Sequence, residues 1–291
     1  MSYYYTDQIL SAKIKQNFFE SEVHNMKLTI LGTGNAMVTK CYNTCFAIEK
    51  DGHYFLVDGG GGNTIMKQLK DADIDWREIT DVFVTHKHVD HIIGIIWIMR
   101  LFGQNIAEKG LKRELNIYGH EEVIQILHSM AELLLQKKHC DAIGKQIHMI
   151  KVKDGESRQI LGQEVTFFDI QSTKAKQFGF SMDLGDEEKL TCCGDEPFNP
   201  CEEKYAKDSK WLLHEAFCLY GQADKYQPYK KHHSTVKDAC ELAESLHVKN
   251  LILYHTEDAT LEHRKELYTE EGSMYYHGTL YVPDDLDEFE L

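Results

Sequence analysis

Apolar residues in this chain come in short bursts, and the period of the bursts switches between 2 and about 3.6. Met26-Lys27-Leu28-Thr29-Ile30-Leu31 runs into Gly32-Thr33-Gly34, the pattern of a strand ending in a glycine turn. Cys45–Glu49 and His53–Val57 flank Lys50-Asp51-Gly52, and Asp-Gly between two such runs predicts a hairpin. Asp58-Gly59-Gly60-Gly61-Gly62 closes the second strand, and Asn63 stands at the N-cap of a helix carrying Ile65, Met66 and Leu69. Asp81–Thr85 reads as a short buried strand and Ile92–Leu101 as an apolar helix behind it. Leu115–Tyr118 predicts a strand, Glu121–Gln136 a helix, and 146–170 alternates like strands. Gly179–Leu184 and Leu190–Cys193 form a second hairpin pattern, followed by a short strand at Trp211–Leu213. Thr235–Leu246 is helical with Val236, Ala239, Leu242 and Ala243 on one stripe, and Leu251–Tyr254 is a strand ending at His255. Strands and helices interleave without a linker. The expectation is one α/β domain over 26–291, preceded by a polar, aromatic-rich extension at 1–25.

Composition narrows the function classes. Hydrophobic residues make up 42% and charged residues 27% of the 291, as in an ordinary globular protein. The formal net charge is −15, with no Lys/Arg block and an acidic end at Asp284, Asp285, Asp287, Glu288 and Glu290. That balance disfavours a large polyanionic partner such as nucleic acid, although bound cations reverse the sign locally. The eight cysteines follow no zinc-finger or disulfide spacing, which reads as reduced, core-filling thiols in a cytoplasmic protein. The longest apolar run, Ile92 to Phe102, is interrupted by Arg100 and too short to span a bilayer.

The chemistry concentrates in Thr85-His86-Lys87-His88-Val89-Asp90-His91. Residues two apart in extended chain point to one side, so His86 and His88 can reach a single metal ion together. Asp90 and His91 follow where the chain turns into the next helix, placed to serve a second ion. Imidazoles suit zinc and similar transition metals, and a carboxylate adds charge and orients water.

Through this HxHxDH signature the chain resembles the metallo-β-lactamase superfamily over nearly all of Met26–Leu291, and within it the ribonuclease Z-like branch. The marks occur in order: Leu31-Gly32-Thr33-Gly34-Asn35, Asp58-Gly59-Gly60, Gly194-Asp195, His214-Glu215-Ala216 like a HEAT motif, His233-Ser234-Thr235 like an HST motif, and Tyr254-His255. The resemblance implies a four-layer αββα sandwich with two divalent metal ions at one edge, zinc first, manganese or iron as alternatives. It implies one ion on His86 and His88, the other on Asp90, His91 and His255, and Asp195 bridging. A hydroxide shared by the two ions would be the nucleophile. His233 would contact the phosphate or protonate the leaving oxygen, positioned by Glu215, with Asp90 the third catalytic residue. Asp58 would stand behind a ligand histidine. His214 and His232 are expected as neighbours rather than ligands.

Two departures sharpen the expectation. The branch normally supplies a third histidine to the first ion, from a loop before a Gly-aromatic pair. Here Asp169-Ile170-Gln171-Ser172-Thr173-Lys174-Ala175-Lys176-Gln177-Phe178-Gly179-Phe180 contains none. Gln171 is the stand-in by position and length, ahead of Thr173 and Asp169. Secondly, tRNA-processing members carry a long arm that grips tRNA, whereas only Ser181 to Gly194 separate Phe180 from Asp195. The leading expectation is therefore a dinuclear hydrolase of a small phosphodiester, with cyclic nucleotides among the candidate substrates. A thioesterase or lactonase, a catalytically weakened metal-binding protein, and a tRNA 3′-processing endonuclease are the alternatives. A homodimer follows from the resemblance.

Overall fold

The computed structural model describes residues 26–291, so the 1–25 extension lies outside the described residues. Alternation within the strands decides the layers. In β1 (Lys27–Gly32) Leu28 and Ile30 point to one face and Leu31 to the other; a bulge between Ile30 and Gly32 turns the strand end. In β2 (Cys45–Lys50) Phe46 and Ile48 share the first face while Cys45 and Ala47 share the second. In β3 (His53–Val57) Phe55 and Val57 oppose Leu56 in the same way. Each strand thus offers two apolar faces, and both need cover.

The remaining strands are β4 (Ile79–Phe83), β5 (Leu115–Gly119), β6 (Ile147–Lys151), β7 (Glu156–Ile160), β8 (Gln163–Asp169), β9 (Phe178–Gly185), β10 (Glu188–Cys192), β11 (Trp211–Glu215), β12 (Asn250–Tyr254), β13 (Thr279–Tyr281) and β14 (Glu288–Glu290). They form two seven-stranded sheets, ordered β14-β1-β2-β3-β4-β5-β6 and β13-β12-β11-β10-β9-β8-β7. The sheets meet through a shared core in which Phe46, Phe55 and Phe83 pack around Phe180. Among the described residues five helices reach eight residues or more. Helices α1 (Thr64–Asp71), α2 (Val89–Lys109) and α3 (Glu121–Leu134) cover the outer face of the first sheet. Helices α4 (Val236–Ser245) and α5 (Leu261–Gly272) cover the second. The expected αββα sandwich is the observed one.

Three local readings change. Helix α2 starts at Val89, not Ile92, and runs on to a left-handed Gly110 cap; its polar first turn carries Asp90 and His91, which hides the start from a hydrophobic pattern. Asn63 does sit before α1, but its side chain makes no cap hydrogen bond. The acidic end is not only surface: Phe289 alternates with Glu288 and Glu290 in β14, pairs its strand to β1, and packs on Trp211 and Tyr281. No helix among the described residues is long and apolar enough to cross a membrane.

Candidate metal centre

Strands β3 and β4 run parallel, as do β10, β11 and β12, so their carboxyl ends fall at one edge of the sandwich. Open α/β sheets bind ligands outside such strand ends. Asp58 follows β3, residues 85–91 follow β4, Asp195 follows β10, Glu215 ends β11 and His255 follows β12. The two sheets are stitched together there: Phe178 N–H donates to the Thr85 carbonyl at 3.0 Å, and Gly34 bridges to Thr256.

Two donor sets converge. His86, His88 and Asp195 place ligand atoms within 4.8 Å of one another, and so do Asp90, His91 and His255. Asp195 joins the sets, its Oδ2 lying 3.6 Å from His86 Nε2, 3.4 Å from His91 Nε2 and 3.3 Å from His255 Nε2. All of these side chains except His88 are buried, and His88 is half-buried. His91 and His255 carry a strained signature too: Nε2 of each is buried without a hydrogen-bond partner, and His255 adopts φ +56°. Buried polar atoms are normally satisfied, so orphaned nitrogens aimed at shared carboxylates fit a cation. The donor set of imidazoles and carboxylates suits zinc, manganese or iron.

Asp58 sets the tautomers. Its carboxylate accepts from Thr85 N–H at 2.9 Å and from the Thr85 hydroxyl at 2.8 Å, and pairs with His91 Nδ1 at 2.7 Å. His91 therefore carries a proton at Nδ1 and presents Nε2 to the centre. The Thr85 hydroxyl, having donated its hydrogen, can only accept from His86 Nδ1, 2.9 Å away. His86 Nε2 is then a lone pair as well. It faces His88 Nδ1 at 2.8 Å, a hydrogen-bond separation that a proton on His88 Nδ1 satisfies.

Electrostatics agree with ligation. Burial holds His86 well below the ordinary imidazole range and lowers His88, so both rings are neutral donors. Burial opposes ionisation of Asp195 and Asp90, but the histidines outweigh it. His86, His91 and His255 hold Asp195 well below the usual carboxylate range, and His255 and His91 do the same for Asp90. For His91 burial is outweighed by Asp58, Asp195 and Asp90, which raise it well above its ordinary value. A cation must displace that proton, so binding there releases one.

Close backbone packing fixes His91. Gly59 N–H donates to the His91 carbonyl and Gly94 N–H to the Gly60 carbonyl, both at 2.9 Å. A Cβ on Gly94 would stand 1.7 Å from the Gly59 oxygen. On the other side, buried Arg264 donates to the Thr256 hydroxyl at 2.7 Å and the Thr33 hydroxyl at 3.0 Å, bracing the loop after His255. Asp285 accepts from Thr33 N–H and Tyr42 N–H, tying the C-terminal segment to the loop after β1. Sequence reading missed Thr85, Gly94, Arg264 and Asp285 as supports. Only Arg264, a lone arginine in a polar helix, carried a signal, and a weak one.

Glu215 and His233 come together as the motif order implies, with His233 Nδ1 3.6 Å from Glu215 Oε2 and Glu215 Oε1 accepting from Ser234 N–H. Their ligand atoms and one of His255 form a third close group. A cavity of about 540 Å³ opens beside His233 and His255, lined also by Phe217, Tyr226, Lys174 and Lys231. His214 is buried against the Glu215 carbonyl, and His232 contacts Thr173 at 3.3 Å. Gln171 stands exposed at φ +57°, its N–H on Asp169. Its loop is pinned beside the centre because Ser172 donates to Glu196, the neighbour of Asp195. Asp169 itself faces Lys176 at 3.5 Å.

A family model described as anti-Pycsar protein Apyc1 matches residues 26–277. The chain belongs to this family. Ribonuclease Z of Methanothermobacter thermautotrophicus is 27% identical over 313 aligned positions, covering 91% of this chain and 97% of that one. Among solved structures, the metallo-β-lactamase fold protein YhfI of Bacillus subtilis superposes with a TM-score of 0.74 at 16% identity, over 91% of this chain and 99% of YhfI. The short form of human tRNase Z gives 0.67 at 21%, over 91% and 98%. At these identities the two structures speak for the fold alone. The family match, the ribonuclease Z relative and the donor clusters together make this Apyc1-family chain a metal hydrolase, and the structures give it the metallo-β-lactamase fold.

Proposed function

We propose that this protein is a dinuclear metal-dependent phosphodiesterase that opens a small phosphodiester, with a cyclic nucleotide as its substrate class. The observation that carries the reading is the convergence of two donor sets on Asp195, beside the Glu215–His233 pair and a ligand-sized cavity. Membership of Apyc1, a cyclic nucleotide phosphodiesterase family, supports the substrate class. In this reading His86 and His88 would hold one ion, Asp90, His91 and His255 would hold the other, and Asp195 would serve both. Zinc is the first choice of metal. Gln171 would be the chain's candidate to complete the first site, with water as the alternative, and Gln171→His with metal counting tests which.

Bound there, two divalent cations would supply Lewis acidity toward the phosphoryl oxygens and lower the pKa of water. The chain's own residues do the rest. Lys174 and Lys231 line the cavity alongside Glu257 and Asp258, and these two ammonium groups are the chain's own partners there for an anionic substrate. His233 protonates the leaving oxygen from the edge opposite Nδ1, and the Glu215 carboxylate faces that Nδ1 edge at 3.6 Å. Asp58 keeps His91, and through Thr85 also His86, in the ligating tautomer.

One observation favours a second reading, tRNA 3′ processing: the match to a ribonuclease Z extends over 97% of its length. Against it, β9 and β10 join directly through Asp186-Glu187, an acidic tight turn where a tRNA-gripping arm would insert. The test is a panel of 3′,5′-cyclic nucleotides, thioesters, lactones and a 3′-extended pre-tRNA, offered to zinc- or manganese-loaded protein. Conversion of a cyclic nucleotide to its linear monophosphate supports the proposal. Hydrolysis of thioesters or lactones, or of pre-tRNA alone, with every cyclic nucleotide intact, overturns it.

A further inference from the structure

His233 sits in an irregular segment between the one-turn helix at Tyr229–Lys231 and helix α4, so its backbone alone does little to fix the ring. Three side chains do that instead. Glu215 Oε2 faces its Nδ1 edge at 3.6 Å. The ring of His255 lies at a centroid distance of 5.1 Å, tilted by 36°. The ring of Phe217 lies parallel to the imidazole, 4.9 Å away and 10° from coplanar orientation. Phe217 is itself immobilised: buried, with its N–H on the Ser234 carbonyl and its carbonyl accepting from Glu257 N–H, both at 2.9 Å. Lys231 Nζ lies 4.8 Å from the Phe217 ring centroid, adding a cation–π contact. Phe217 and His233 both line the cavity.

We infer that Phe217 is a positioning residue for His233, fixing the plane of the imidazole so that the edge opposite Glu215 faces the substrate. The inference rests on the phosphodiesterase reading and its assignment of His233 to protonate the leaving oxygen. A carboxylate 3.6 Å from one edge attracts that edge but makes no hydrogen bond to it, so it leaves the ring free to rock. A parallel aromatic face removes the rocking, and offset stacking of this kind is attractive in its own right. Proton transfer demands alignment with the departing oxygen, so the benefit appears in turnover rather than in substrate binding.

The test compares two diesters. In 3′,5′-cyclic AMP the leaving oxygen departs as an alkoxide and needs the proton; in bis(p-nitrophenyl) phosphate it departs as a stable phenolate and does not. Phe217→Leu keeps apolar bulk without a plane. It is expected to lower kcat for cyclic AMP about tenfold, with KM changed less than about threefold. It should leave bis(p-nitrophenyl) phosphate turnover within about twofold. Phe217→Tyr restores the stack and should recover most of the lost kcat. In a His233→Ala background Phe217→Leu should add nothing, because the two act as one unit. Metal content and the thermal transition of each variant establish that it is folded and loaded. Equal losses on both diesters, or losses that multiply in the double variant, overturn the inference while leaving the phosphodiesterase reading intact. Absence of turnover of either diester by the loaded wild-type protein overturns that reading and the inference with it.

Discussion

Replacing Asp58 by Asn changes one atom and reverses the polarity of two of its three contacts. Asparagine suits the position because Asp58 sits at φ +57°, a region Asn tolerates better than most residues. The amide oxygen can still accept from Thr85 N–H, now at 2.9 Å, but the amide nitrogen then faces His91 Nδ1 and the Thr85 hydroxyl, at 2.7 and 2.8 Å from the present carboxylate. Two N–H groups cannot point at each other. His91 must move its proton to Nε2, the atom aimed at the metal centre, and the Thr85 hydroxyl loses the acceptor that made it an acceptor for His86. Removing one outer partner of a ligand histidine typically weakens metal binding 10–100-fold, about 1.4–2.7 kcal/mol. Because one carboxylate here serves both His91 and, through Thr85, His86, two of the histidines proposed as ligands, the expected loss is at the upper end, ~100-fold. Zinc competition against a chromophoric chelator measures it, with circular-dichroism melting of chelator-treated protein to follow the fold. An Asp58→Asn variant that binds zinc within about threefold of wild type would refute the tautomer argument, since that lies well below the range such partners command.

Other perturbations reach other links. Gly94→Ala drives a Cβ to 1.7 Å from the Gly59 oxygen, so it should cost about 1–3 kcal/mol and weaken zinc binding through His91; an unchanged melting temperature would contradict the close-packing account. Glu202, buried, has its carboxyl pushed up to about 8. Its contribution to stability is complete below the ordinary carboxylate pKa and is lost as pH rises toward about 8, because the unfolded chain sheds the proton first. Denaturant unfolding from about pH 5 to about pH 8 should show that decline, and Glu202→Gln should flatten it; parallel pH slopes would count against it. His233→Ala should lower turnover about 100-fold with both metals retained, and a metal missing by elemental analysis would instead make His233 a ligand. Asp90→Ala should abolish turnover with the fold intact, and full activity in that variant would sink the mechanism.

The parts legible in the sequence were those whose chemistry is local. His86, His88, Asp90 and His91 are contiguous, so their spacing speaks directly, and the layers follow from alternation in residues such as Leu28, Ile30 and Leu31. Asp195 and His255 gain meaning only as members of an ordered series, yet parallel pairing of β10, β11 and β12 does deliver them to the same edge. The supports were not legible because their partners are remote in sequence. Thr85 reaches back 27 residues to Asp58, and Arg264 lies 231 residues from Thr33. Gly94 looks like a neutral helical glycine until the Gly59 loop is packed against it. The stack of Phe217 on His233 depends on a segment of short turns for which periodicity offers no register.

The claim at the centre of this account is that catalysis on a small phosphodiester requires the two-cation site. Titrating chelator-treated protein with zinc, while following hydrolysis of a 3′,5′-cyclic nucleotide by phosphorus NMR, tests it in one experiment. No linear monophosphate is expected without metal, and turnover should rise to a plateau as two equivalents bind. Full turnover at one equivalent, or a fully loaded protein that leaves every cyclic nucleotide intact, would contradict it.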